Sequence, residues 1–269
     1  MDISITNETD MSVNSAPPES EKKVYSFSRL SAWDSCKLSF RYKYLDGIKG
    51  EDNWFSRFGT FAHLIFEMID RGKMPPRKAW DVWTRHYQKR VLNNGAHEFP
   101  WMAKWYDDAS NFFFTFKGFR TSAKYIEQYI EIDRGNYILR GYIDRGSDDI
   151  GGSVLCDYKS SNPFSTEDVL KKRRQLYLYS AYEKEKAGSF PKELIFLFFR
   201  KNEYLRIPFN EDDYNEAWAW ADRTVLEIEE KTACAETEYP PTVSDFFCKT
   251  ICDYRNTCPF SPNAKYRTR

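Results

Sequence analysis

Apolar residues recur at helical spacing over residues 28–44, where Leu30, Trp33, Leu38 and Tyr42 would share one face. A clearer stripe of Phe61, Leu64, Ile65, Met68 and Ile69 predicts a helix over residues 60–71, stopped by Gly72. Two more helices are expected over 76–92, opened by Pro75 and Pro76, and over 101–116. Their load of Trp80, Trp83, Trp105, Phe112, Phe113 and Phe116 marks a helical insertion, about residues 73–120, packed on a main body. The period then changes to 2. Residues 125–132 and 137–144 read as strands around the hairpin loop Asp133-Arg134-Gly135-Asn136, and a Gly-rich loop over 146–153 leads to a third strand over 154–159. A helix follows over 166–187, with Ser165 as cap and Gly188 past its end. Residues 192–200 and 203–209 form a further hairpin pattern, and Asn210 caps a last helix to about residue 231. This order predicts an α+β core with a mixed sheet.

At 269 residues the chain suits one large domain or a domain with an insertion. Its 41% hydrophobic and 17% aromatic content supplies a core from residue 24 to about 262. Residues 1–23, rich in Asn, Ser, Thr and Glu with Pro17 and Pro18, read as a disordered arm, and residues 263–269 as a basic tail with Lys265, Arg267 and Arg269. Neither a signal-peptide pattern nor an apolar run of membrane-spanning length occurs, so a soluble, cytoplasmic protein is expected. The formal net charge is zero, which argues weakly against a nucleic-acid ligand, because binding needs a local basic surface. Lys171-Lys172-Arg173-Arg174 and the tail could supply one, or could simply be solvated.

Candidate chemistry sits on the predicted meander. Strand alternation places Asp157 and Lys159 on one face, with Cys156 and Tyr158 on the other. Asp144 ends the neighbouring strand, sharing a face with Arg140 and Tyr142. Two carboxylates that close repel unless a cation sits between them, and a lysine beside them can orient water or steady developing charge. The alternative is that they are edge residues paired with Arg145 and Lys159. His63 and Glu67, at i and i+4, lie beside the apolar stripe, and an imidazole there could complete a metal shell or be a packed, hydrogen-bonded histidine. Gln175 and Tyr179 repeat that spacing, either facing substrate or forming the polar edge of a packed helix.

Six cysteines in a cytoplasmic chain suggest ligands or buried thiols. Cys248, Cys252 and Cys258 are dense enough to bind a metal, and Cys36 could supply a fourth ligand if both ends of the fold meet. A staple of that span would add roughly 5 kcal/mol by chain-entropy reasoning. Spacing does not separate zinc from iron–sulfur. Cys156 is expected to be a core thiol, and Cys234 follows an acidic helix end.

With these residues laid out, residues 25–260 resemble the RecB-like branch of the PD-(D/E)XK nucleases, and are most similar to its iron–sulfur members, the CRISPR-associated RecB-like exonucleases and the nuclease domain of AddB. Ser26-Phe27-Ser28-Arg29-Leu30 through Cys36 and Tyr42 is similar to the first-cysteine helix. Gly59-Thr60-Phe61-Ala62-His63 matches Gly-x-x-x-His, Gly141-Tyr142-Ile143-Asp144 the first acidic motif, Asp157-Tyr158-Lys159 the (D/E)-x-K, and Gln175-Leu176-Tyr177-Leu178-Tyr179 the Gln-x-x-x-Tyr motif. Two departures stand out: Asp157 replaces a common Glu, and Cys248 and Cys252 are spaced Cys-x3-Cys where the family has Cys-x2-Cys.

The resemblance implies a restriction-endonuclease-like core and a metal-dependent DNA exonuclease acting on single strands or DNA ends, in repair, recombination or CRISPR adaptation. It implies Mg²⁺ or Mn²⁺ held by His63, Asp144, Asp157 and the Tyr158 carbonyl, with Asp144, Asp157 and Lys159 catalytic and Gln175 and Tyr179 holding the strand. A [4Fe-4S] cluster on Cys36, Cys248, Cys252 and Cys258 would pin the two ends together, zinc being the alternative occupant. The absence of a Walker A pattern places any helicase partner on a separate chain. Two rivals remain: a non-catalytic DNA-binding or assembly factor on the same fold, and a zinc-stapled binding protein with structural acids.

Overall fold

The computed structural model describes residues 22–234 and 238–266, so residues 1–21 of the expected arm and 267–269 of the tail lie outside the described residues. Lys23, counted with the arm in the sequence, opens β1 (Lys23–Ser26). Two helices follow, α1 (Phe27–Ser35) and α2 (Lys37–Tyr44). The single helix expected over 28–44 is therefore broken, at Cys36, whose backbone is extended (φ −163°, ψ 110°). Asp34 and Ser35 are weak helix formers just before the break.

The next helix, α3 (Trp54–Asp70), starts earlier than its apolar stripe suggests, because the Asn53 side chain accepts from Ser56 N–H at 2.9 Å and caps it. A short 3₁₀ turn, α4 (Ala79–Arg90) and α5 (Pro100–Thr115) follow, where helical insertion was expected. The hairpin strands are β2 (Ala123–Asp133) and β3 (Tyr137–Asp149), followed by β4 (Gly152–Lys159). The Gly-rich loop expected over 146–153 is thus mostly strand. Gly146 lets the Tyr125 ring lie against it, where any side chain would collide, and the turn itself shrinks to Ile150-Gly151.

Arg173 divides the next helical stretch into α6 (Thr166–Lys172) and α7 (Arg174–Ala187). Ser165 caps the first, accepting from Asp168 N–H at 3.2 Å, and Gly188 ends the second at φ 75°. Strands β5 (Glu193–Phe198) and β6 (Glu203–Pro208) and the long α8 (Glu211–Ala233) complete the main body, with Asn210 capping α8.

The strands form one mixed sheet in the order β1-β3-β4-β5-β6, with β2 on the other edge of β3. β1 and β4 share one edge of β3 in succession. β1 runs parallel to Tyr137–Arg140, and β4 runs antiparallel from Arg145 to Asp149. Between these two ladders, residues 141–144 have no strand partner on that edge. The sheet therefore opens a slot at the Gly141-Tyr142-Ile143-Asp144 segment.

Each face of the sheet carries a core. Helices α1, α7 and α8 bury Trp33, Tyr177, Leu178 and Trp218 with Leu139, Ile143 and Leu155 on one side. On the other, α3, α4 and α5 bury Phe66, Trp83 and Phe113 with Cys156, Tyr158 and Leu197. Cys156 is thus the core thiol expected. Both layers are aromatic-rich, and ring pairs at offset or edge geometry add to the area that they bury.

Candidate active site

Strand parity delivers the first two groups. Asp157 and Lys159 leave β4 on the α7 side, where Lys159 Nζ lies 2.6 Å from Asp157 Oδ2 and donates to Gln175 Oε1 at 3.2 Å. Gln175 stands at the start of α7, whose packing on the sheet aims it at the lysine. The edge reading of the acids held for half of its pairs: Lys159 meets Asp157, but Arg145 instead forms a buried ion pair with Asp70 at 3.0 Å.

Asp144 is positioned by the slot rather than by a strand end. With no ladder partner at this point, Tyr158 N–H donates to Asp144 Oδ2 at 2.8 Å. The expectation that Asp144 ends its strand is corrected, since β3 continues for five more residues to Asp149. The strand also changes face here. Leu139 and Ile143 belong to the α7 side, whereas Arg145 reaches Asp70 and the Phe119 ring on the α3 side. β2 shifts in step: Tyr125, Ile130 and Ile132 all face the α7 side, which regular alternation forbids. The shift falls at Glu127, held at φ 46°.

His63 comes from α3. Its Nε2 lies 3.1 Å from the Tyr158 carbonyl oxygen, and its Nδ1 lies 3.4 Å from Glu127 Oε1 and 3.7 Å from Asp144 Oδ2. Among the described residues, His63, Glu127 and Asp144 have ligand atoms all within 4.8 Å of one another. Glu67, paired with His63 in the sequence by spacing, points elsewhere and bonds Arg71 at 2.7 Å. Glu127 was missed. Counting back from the Asp133↔Ile138 pair puts it directly opposite Asp144, so the hairpin register carried the signal.

The electrostatics are those of a crowded acidic site. Burial and the charge of Asp157 push the Asp144 carboxyl up to about 7. Burial would lower the His63 pKa, but Asp144, Glu127 and Asp157 outweigh it and raise it to about 9. Asp157 Oδ2 is buried and takes no aligned hydrogen bond. Oxygen donors plus one imidazole, short of positive charge, suit Mg²⁺ or Mn²⁺. The set expected from the sequence, His63, Asp144, Asp157 and the Tyr158 carbonyl, comes together here, and among the described residues His63, Glu127 and Asp144 form the group that could hold such an ion.

Gln175 reaches the lysine, but Tyr179 is buried at 5% exposure with its ring over Gly141. A Cβ at residue 141 would drive into that ring, which accounts for glycine there. Three of the four residues in the basic run are spent on ion pairs: Lys171 with Glu167, Arg173 with Asp213 and Arg174 with Glu216. Lys172 remains beside Lys159, and burial followed by that neighbouring charge lowers its pKa.

The model of the PD-(D/E)XK nuclease superfamily matches residues 24–259. The chain belongs to that superfamily. Its activity class is accordingly that of a metal-dependent nuclease, and Mg²⁺ or Mn²⁺ is the cation such enzymes use. Among solved structures, "Crystal structure of SSO0001" is similar at 16% identity over 90% of this chain and 88% of that one, with a TM-score of 0.38, too slight a likeness to argue from. No curated protein matches the chain. No helix among the described residues is long and apolar enough to cross a membrane.

In this nuclease Cys36, Cys248, Cys252 and Cys258 line one cavity, together with Tyr42, Phe247 and Tyr254. Backbone N–H groups of Thr242, Ser244 and Tyr254 each donate to a cysteine sulfur at 3.4 Å. No three of the sulfurs lie within 4.8 Å of one another, so the metal staple expected from the sequence is not formed as a ligand cage. A tetrahedral zinc site, with Zn–S of about 2.3 Å, needs sulfurs about 3.8 Å apart.

Proposed function

We propose that this superfamily member is a RecB-like, Mg²⁺- or Mn²⁺-dependent DNA exonuclease that works on single strands or DNA ends. The observation that carries the reading is the convergence of Asp144, Asp157, Lys159 and His63 at a slot in the sheet. A binding module has no use for two mutually repelling acids and a lysine held this way. The cation, when bound, polarises the scissile phosphate and neutralises the acids. Lys159, held between Asp157 and Gln175, orients the attacking water and steadies the negative charge that develops on the phosphate. Gln175 then keeps the ammonium aimed at the phosphate.

Beside Lys159 and Gln175 runs a groove lined by Ser28, Ser31, Ser35, Lys172 and Phe247. It offers hydroxyls and an ammonium to phosphates and a ring to a base, which favours a single strand over a duplex. Recombination, repair and CRISPR adaptation all supply such strands.

The decisive assay incubates purified protein with end-labelled single- and double-stranded DNA and Mn²⁺ or Mg²⁺. Metal-dependent shortening from one end, lost in Asp157→Ala and Lys159→Ala, is expected. Binding without cleavage, indifferent to both substitutions, would replace this reading with a non-catalytic DNA-binding factor.

The four cysteines are proposed to hold a [4Fe-4S] cluster. Their shared cavity and N–H···S bonds support it, and sulfurs set wider than a zinc cage suit a larger cluster. Anaerobically purified protein is expected to be brown and to lose colour in Cys258→Ala. Colourless protein with one zinc per chain would sink the cluster.

A further inference from the structure

We propose that Glu127 is a positioning residue that fixes the tautomer and orientation of His63, an inference that rests on the metal-nuclease reading above. His63 Nε2 and the Tyr158 carbonyl are 3.1 Å apart. Neighbouring ligands on one cation at about 2.1 Å lie about 3.0 Å apart, so these two atoms are spaced to share it. The other ring nitrogen, Nδ1, faces Glu127 Oε1 at 3.4 Å. The two nitrogens point to opposite sides of the imidazole. The Glu127 oxygen off Nδ1 is placed to accept that nitrogen's proton, which leaves the Nε2 lone pair free for the cation. Such a partner typically governs metal affinity by 10- to 100-fold.

The Oε1 of Glu127 is buried and, apart from the 3.4 Å contact to His63 Nδ1, has no donor among the described residues, so nothing competes with the imidazole for it. Its backbone sits at φ 46° inside a strand, a conformation that costs a non-glycine residue energy unless the surroundings enforce it. The face shift at that residue brings the carboxylate from β2 to the α3 side, where His63 waits. Asp144 Oδ2, 3.7 Å from Nδ1, is already engaged by Tyr158 N–H, so Glu127 is the nearer and freer acceptor.

Calorimetric titration of Mn²⁺ into the full chain tests the assignment without any turnover. Five variants are compared with wild type: Glu127→Ala, Glu127→Gln, Glu127→Gly, His63→Ala and His63→Ala/Glu127→Ala. Glu127→Ala is expected to weaken Mn²⁺ binding about 10- to 100-fold. Glu127→Gln, whose amide oxygen still accepts from Nδ1–H, should fall between it and wild type. Glu127→Gly relieves the left-handed backbone and should melt no lower than wild type while binding as weakly as Glu127→Ala, which separates metal affinity from folding. In the His63→Ala background, removing Glu127 should cost nothing more, because its effect runs through the ring. A full additional loss there would make Glu127 a direct ligand and overturn the proposal, as would wild-type affinity in Glu127→Ala. Wild-type protein that takes up no Mn²⁺ would overturn the metal-nuclease reading itself, and this inference with it.

Discussion

Neutralising Asp144 should stabilise the metal-free fold while destroying its use. The Asp144 carboxyl is raised from 3.8 to about 7 by burial and by Asp157. A carboxyl held higher in the folded than in the unfolded chain binds its proton more tightly when folded. Stability is then full below about pH 4 and declines as pH rises, with the whole loss felt above about 7. At about 1.36 kcal/mol per pH unit, the rise corresponds to about 4 kcal/mol. Asp144→Asn keeps an oxygen for the Tyr158 N–H but cannot ionise. In EDTA at pH 8 it should therefore exceed wild type by up to about 4 kcal/mol, or roughly 8–16 °C in Tm for a chain of this size. At pH 4 the two should nearly coincide. Mg²⁺ at 100 times Kd narrows the gap, because only wild type gains the binding term of about 2.7 kcal/mol, and about 1,000 times Kd is needed to close it. Urea titrations and thermal melts at pH 4, 6 and 8, with and without metal, make the comparison. Wild-type stability that is flat from pH 5 to 8, or Asp144→Asn melting below wild type at pH 8 in EDTA, would refute the account of two uncompensated acids.

The raised His63 pKa, about 9, means that protons compete with metal for the site. Apparent Mn²⁺ affinity should climb about tenfold per pH unit from 7 towards 9, and a flat profile would show that the imidazole is not a ligand. Lys159→Met should lower kcat about 10²- to 10⁴-fold in single-turnover cleavage with Mn²⁺ affinity undiminished. Arg145→Ala leaves Asp70 buried without its partner and should cost about 3–5 kcal/mol in urea unfolding. Gly141→Ala forces the Tyr179 ring out of place and should cost roughly 1–3 kcal/mol by the same measure.

Much of this site was readable because strand alternation is strict where the strand is regular. Asp157 and Lys159 share a face as the period of β4 requires, and the capping residues Ser165 and Asn210 act as their positions promised. Legibility failed where the backbone departs from its period. The extended Cys36 splits a helix whose apolar spacing runs through the break, since spacing records which face is buried and not whether the axis bends. Glu127 escaped for a related reason. Its exposed-looking place in an alternating strand is undone by a face shift that only the partner strand reveals. Glu67 shows the converse, an attractive i, i+4 spacing to His63 defeated by an equally good spacing to Arg71. The cysteines were legible as a set from their density near the C-terminus, but sharing a cavity wall is a tertiary fact that spacing does not contain.

Tyr158 joins packing to chemistry in a single peptide. Its ring lies against Phe66 and Phe119 in the α3 core, its N–H holds Asp144, and its carbonyl faces His63. The aromatic layer beneath the sheet is therefore the platform on which two residues of the proposed cation site are levelled. Adaptation of that layer, for heat or for a new partner, would retune the cation site without touching any residue that binds it, so core drift and catalytic drift in this chain are a single inherited variable.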